Sequence, residues 1–237
     1  MGRPGAGSAP PRSAAARVVS MTRLLLVGAT GLVGQLVLQL ALADKRVTQV
    51  VAPTRRALPA HPKLLNPVLD FSALPEDAPW WSVDAVVCAL GTTIKVAGSQ
   101  VAFYRVDHDL PLRVAELALQ HGARTYALNS ALGASADSRV FYSRTKGELE
   151  RDLLALGYPS LTLLQPGLIG GDRQQSRPAE RLAIAVTRGL APLLPRRYHV
   201  VPASQIATHL LDAAVTGRPG VHVLTSEPLL DPVPTRH

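Results

Sequence analysis

Tyr142 and Lys146 stand four residues apart, a spacing that puts a phenol and an ammonium on one face of a helix. A cation beside a phenol stabilises phenolate and suits the pair to proton transfer. The same ammonium can hold a ribose hydroxyl. Upstream, Asn129-Ser130 ends an apolar run, where the Ser130 hydroxyl can orient a substrate carbonyl. Ser130, Tyr142 and Lys146 form the expected catalytic set. Tyr-x-x-x-Lys arises often by chance, and its weight here comes from what precedes it.

What precedes it is a glycine turn, Gly28-Ala29-Thr30-Gly31-Leu32-Val33-Gly34, between an apolar run and an amphipathic segment. Glycines at this spacing permit the turn, admit a pyrophosphate to the backbone and let a helix pack on a strand. Gly28, Thr30, Gly31, Leu32 and Val33 are expected to meet the phosphates at the free N–H groups of the helix start. An NAD site ordinarily places an acid about 20 residues after the glycines, on the ribose 2′-hydroxyl. Here the second apolar run ends Pro53-Thr54-Arg55-Arg56, with no acid. Two guanidinium groups suit a 2′-phosphate. NADP(H) is therefore the expected cofactor, with Arg55 and Arg56 as its selectors. Asp70 can accept from the adenine amino group while Phe71 flanks the ring. Leu90, Gly91, Thr92 and Thr93 close a further run, where backbone and hydroxyls can lie against the cofactor.

These residues need a sheet whose strands all end on one side. Apolar runs at Arg23 to Gly28, Val47 to Ala52, Asn66 to Asp70, Ala85 to Leu90, Thr125 to Asn129 and Ser160 to Gln165 read as strands. Helical patterns fall between them, at about Gly31 to Ala43, Ala102 to His121 and Phe141 to Leu156. Fully apolar strands separated by helices imply α/β organisation, a doubly wound parallel sheet covered on both faces. Beyond Gly170 the pattern predicts helices near Ala179 to Arg188 and Ser204 to Ala214, and a strand at Val221 to Leu224. Residues 21–237 thus form one domain, with about 171–237 expected as a small C-terminal cap over the sheet. Residues 1–20 are Gly/Ala/Pro/Arg-rich without apolar periodicity and are expected to be a disordered extension. That stretch has the Arg and Ser content of a transit peptide, but its prolines oppose an amphipathic helix.

The formal charge is +8, yet Arg3, Arg12 and Arg17 lie in the first 20 residues and the rest are scattered. No basic stripe with interleaved aromatics is present, so nucleic acid is not an expected partner. The 7 histidines show no ligand spacing, which argues against a metal. No apolar run approaches the roughly 18 residues of a membrane span. The single cysteine, Cys88, excludes an internal disulfide and suits a reducing compartment, expected to be the cytoplasm. Trp80-Trp81 is expected to pack rather than stack on a cofactor.

Taken together, the glycine turn, Leu90-Gly91-Thr92-Thr93, Tyr142 with Lys146, and Gln165-Pro166-Gly167 resemble an atypical short-chain dehydrogenase/reductase with a Rossmann fold. The chain is most similar to the Tat-interacting-protein-like NADPH-binding branch. The likeness includes Ala97-Gly98, Arg105-Val106-Asp107, Lys146-Gly147-Glu148, and Asp172-Arg173-Gln174 with Ser176-Arg177-Pro178. The resemblance implies bound NADPH, with Pro166, Gly167 and Leu168 giving backbone contacts to nicotinamide. It also departs from the pattern. Gln165 replaces the commoner Arg, and Asp107 occupies the position of a catalytic Asn. The short C-terminal portion does not suit sugar nucleotides. Two functions follow as expectations. One is reduction of a small carbonyl compound with Tyr142 as acid. The other is a redox-silent NADPH-binding regulator or sensor acting through protein partners.

Overall fold

Successive side chains of β1 (Thr22–Val27) enter opposite sides of one sheet, Leu24 and Leu26 on one, Leu25 and Val27 on the other, all fully buried. The computed structural model describes residues 21–170 and 199–233. The extension expected over 1–20, the helix expected near Ala179 to Arg188, and the segment from Asp172 to Pro178 lie outside the described residues. β2 (Val47–Val51), β3 (Leu64–Leu65), β4 (Ala85–Cys88), β5 (Thr125–Asn129), β6 (Ser160–Gln165) and β9 (Gly220–Thr225) complete a seven-stranded sheet. Its order is β3-β2-β1-β4-β5-β6-β9, with every pairing parallel. β7 (Ile169–Gly170) and β8 (Val201–Pro202) pair separately. The expected doubly wound parallel sheet is present.

Each face has its own core. α1 (Leu32–Ala43) and α6 (Ala203–Thr216) cover one face, where Val37, Ala41, Ile206 and Leu210 meet Leu24 and Leu26. α4 (Leu110–Gln120) and α5 (Phe141–Ala155) cover the other, where Val114, Leu117, Leu149 and Leu153 meet Leu25 and Val27. Trp81 is fully buried in this second core and its indole N–H donates to the Pro75 carbonyl at 2.7 Å, a packing role as expected. Burial pushes the Cys88 thiol up, away from the reactive thiolate form. Among the described residues no helix is long and apolar enough to cross a membrane.

The structure refines three expectations. The third strand, read at Asn66 to Asp70, is only Leu64–Leu65, with an isolated bridge from Thr54 to Val68. Pro67 has no N–H to donate to a ladder. The Asn66 amide instead donates to the Ala52 carbonyl at 2.6 Å and to Thr54 Oγ1 at 2.8 Å. The helix read as Ala102 to His121 runs unbroken as α3 (Gln100–Tyr104), a π turn (Arg105–Asp109) and α4, after a separate α2 (Ile94–Ala97). Pro111 explains the π turn, since a proline lacks one helical N–H and crowds the carbonyl four residues back. Of the stretch 171–237 expected as a cap, the described part both covers and extends the sheet. β9 extends the sheet itself beside β6, and α6 packs on α1.

Candidate cofactor and active site

The strand order reverses between β1 and β4, which opens a crevice at the carboxyl ends of the strands. The glycine turn lies there. Gly28 has φ +87°, and a Cβ on it would stand 2.6 Å from the Ala89 carbonyl carbon and oxygen. A Cβ on Gly34 would stand 2.0 Å from the Gly28 oxygen, so only glycine lets α1 start this close to β1. A Cβ on Gly31 meets only the Gly28 oxygen at 3.4 Å. The first α-helical bond runs from the Gln35 N–H to the Gly31 carbonyl. The N–H groups of Leu32, Val33 and Gly34 therefore have no helical acceptor, and no side chain caps them. No acid occupies that first turn. The cradle fits a pyrophosphate.

At the end of β2, Arg55 and Arg56 are exposed, and neither guanidinium makes a hydrogen bond or ion pair among the described residues. Asn66 shapes this corner, its Oδ1 also accepting the Leu58 N–H at 2.8 Å. Asp70 is exposed and accepts the Ser72 N–H at 3.0 Å, which holds its carboxyl below the usual value. Phe71 is half-buried against the second core. Leu90 and Gly91 line the end of β4. Thr93 caps α2, its hydroxyl accepting the Val96 N–H at 3.2 Å, so that oxygen already serves the fold. The Thr92 N–H donates to Asp107 Oδ2 at 2.9 Å.

Asp107 is the centre of the other end of the crevice, the end expected to be reactive. Its Oδ1 lies 2.7 Å from Lys146 Nζ, and both side chains are at most 4% exposed. The π turn aims Asp107 inward. His108 ties that turn to α5, with one ring nitrogen 2.9 Å from Asp109 Oδ1 and the other 3.0 Å from Asp152 Oδ2. Burial alone would lower the Lys146 ammonium, but Asp107 and Tyr142 together raise it above its ordinary value. Tyr142 stands one turn earlier on α5. It is exposed, with its ring 5.7 Å from that of Phe103, and its hydroxyl has no partner among the described residues. Sequence reasoning placed Asp107 as a departure from Asn and missed its pairing with Lys146.

Ser130 is buried at the end of β5, and its Oγ has no fully formed hydrogen bond. Beside it lies Glu150, one turn beyond Lys146 and also buried, which the sequence reading missed. Glu150 Oε2 accepts the Gln165 amide at 2.8 Å, while Oε1 has no formed bond. A Cβ on Gly147 would stand 2.1 Å from the Ser135 carbonyl carbon, so this glycine brings the loop after β5 down onto α5. The backbone groups of Pro166, Gly167 and Leu168, expected to meet nicotinamide, are partly engaged within the fold. The Pro166 carbonyl accepts Leu132, the Gly167 N–H donates to Ser226 Oγ, and the Leu168 carbonyl accepts Val201. Among the described residues, only the Gly167 carbonyl and Leu168 N–H of these remain open.

A parallel sheet of this order with a glycine turn at its switch point defines a dinucleotide-type Rossmann domain. No protein-family model matches the chain. The mitochondrial protein fmp52 of Emericella nidulans is 36% identical over 171 residues, 69% of this chain and 73% of that protein. Protein HTATIP2 of Rattus norvegicus is 36% identical over 165 residues, 68% of each chain. The chain belongs to the fmp52/HTATIP2 family of atypical short-chain dehydrogenase/reductases. Among solved structures, MoeE5 in complex with UDP-glucose and NAD has a TM-score of 0.65 at 18% identity, covering 87% of this chain and 79% of that one. The UDP-glucuronic acid 4-epimerase of Bacillus cereus in complex with NAD reaches 0.62 at 12%, covering 86% and 78%. At that identity the likeness is one of fold. The expected cytoplasmic home is overturned, because the fmp52 relatives of Emericella nidulans, Eremothecium gossypii and Aspergillus niger are named as mitochondrial. A lone cysteine fits any reducing interior and could not separate the two.

Proposed function

We propose that the protein is an NADPH-dependent reductase of a small carbonyl compound. The observation that carries this reading is the buried Lys146–Asp107 pair one helical turn from the exposed phenol of Tyr142. Taking two charges out of water costs several kcal/mol per ion, of order, and apolar packing would avoid that cost. A buried pair beside a free phenol at a ligand crevice therefore argues for function.

In this reading the Leu32, Val33 and Gly34 N–H groups hold the pyrophosphate. Arg55 and Arg56 grip the 2′-phosphate, and Asp70 and Phe71 receive the adenine. Gly91 and Thr92 lie along the cofactor, and the Gly167 carbonyl and Leu168 N–H meet the carboxamide. Held there, NADPH would supply the hydride that such a carbonyl carbon needs. Ser130 orients the substrate oxygen. Tyr142 gives that oxygen the phenolic proton as negative charge develops on it. Lys146 stabilises the phenolate left behind. An ammonium has three protons, so one can rest on Asp107 while the others reach Tyr142 and a ribose hydroxyl.

The test is a panel of aldehydes and ketones with the purified protein, read as loss of NADPH absorbance. Turnover of at least one carbonyl is expected. Tight NADPH binding with no turnover would mark a redox-silent nucleotide-binding protein that acts through partners.

A further inference from the structure

Glu150 has no part in the chemistry above, yet it shares a buried layer with Ser130. The Ser130 N–H donates at 2.7 Å to the carbonyl of Leu164, the residue before Gln165. The Glu150 carboxyl meets a neutral amide, Gln165 Nε2, at 2.8 Å. The charged group that acts on it from its own helix is Lys146, already held by Asp107 of the π turn. Among the described residues, the end of β5 and β6 present the neutral Ser130 and Gln165 to this layer. Two of its polar atoms, Glu150 Oε1 and Ser130 Oγ, are buried without a formed hydrogen bond. Arrangements of this kind have more than one way to place their protons.

A serine hydroxyl carries one proton. Beside an ionised Glu150, Ser130 gives that proton to the carboxylate and turns only lone pairs to the site. Beside a protonated Glu150, Ser130 can accept from the carboxyl O–H and offer its own proton outward. A carbonyl oxygen needs the second arrangement. We propose that Glu150 is a positioning residue for Ser130, its carboxyl deciding whether the Ser130 hydroxyl donates to substrate or to Glu150. This rests on Ser130 being the group that orients the substrate oxygen. Burial raises the Glu150 carboxyl above the ordinary glutamate value, in keeping with a shared proton at this place.

Glutamate-labelled protein followed by carboxyl 13C NMR tests the coupling without any substrate, with Glu150→Gln assigning the resonance. Glu150 is expected to titrate above the ordinary 4.5. Ser130→Ala should raise that midpoint further, because the ionised form loses a donor, and Gln165→Arg should lower it. An ordinary midpoint, or one that ignores Ser130→Ala, overturns the proposal whether or not the protein turns over. The rate arm uses whichever carbonyl the panel yields. Gln165→Arg should cut kcat by roughly tenfold or more at neutral pH, with cofactor affinity kept, and Glu150→Gln should flatten the pH dependence of kcat. Unchanged kcat and pH profile in Gln165→Arg would also overturn it. Absence of turnover in the unaltered protein would instead strike the reductase reading and leave the NMR result to decide the coupling.

Discussion

The two ends of the crevice are built from different materials. At the phosphate end the contacts are backbone: three uncapped N–H groups behind glycines that let strand and helix touch. At the reactive end they are buried side chains drawn from the π turn, the end of β5, α5 and β6. The first kind of site tolerates changes in side-chain identity but not in backbone space. The second fails when one partner is removed, because the other stays buried and uncompensated.

Breaking the reactive end should therefore have the larger effect on stability. Asp107→Ala strands the Lys146 ammonium and leaves the Thr92 N–H without its acceptor. A loss of about 3–5 kcal/mol is expected in denaturant unfolding. A loss below about 1 kcal/mol would mean that Lys146 finds water or another partner. Gly31→Val should do the reverse. Its Cβ would meet only the Gly28 oxygen, at 3.4 Å, so the fold should hold to within about 1 kcal/mol. Calorimetry should show NADPH binding lost, since the branch occupies the place where phosphate must meet N–H groups.

This contrast also explains what the sequence disclosed. The phosphate end is local, seven residues from Gly28 to Gly34, and a local pattern can be read from a string. The sheet was legible for the same reason: uninterrupted apolar runs such as Leu24 to Val27 and Ala85 to Cys88 admit few other placements. The Lys146–Asp107 pair joins residues 39 apart through a π turn that Pro111 induces, and nothing in the spacing announces it. Glu150 stands at the right helical interval after Lys146 to share its face, which was available as a signal. Its neighbours Ser130 and Gln165 come from two strands, so the cluster exists only in the fold. Asn66 shows the same limit, its amide replacing a strand ladder that the apolar pattern predicted.

Cofactor choice sharpens the comparison at the phosphate end. Arg55→Ala with Arg56→Ala should erase most of an NADPH-over-NADH preference of about 1–3 kcal/mol, the range for charge-assisted bonds to phosphate. Equal affinities for both cofactors in the unaltered protein would remove these arginines from the account. The smallest expected effect concerns Glu150. A carboxyl raised by burial binds its proton more tightly folded than unfolded. Its stabilising contribution is complete below about pH 4.5 and is lost as pH rises through the folded value. Glu150→Gln keeps an acceptor for Gln165 and removes that loss. Its Tm relative to the unaltered protein should therefore rise between acid and neutral pH, and a constant difference would contradict the shift.

The central claim is that Tyr142 is the proton donor of a working reductase site. Steady-state rates and NADPH titrations on the unaltered protein and Tyr142→Phe, with one carbonyl from the panel, test it most directly. Loss of the donor should lower kcat by about 10²-fold or more while NADPH affinity stays the same. Turnover that survives in Tyr142→Phe at the unaltered rate would contradict the claim.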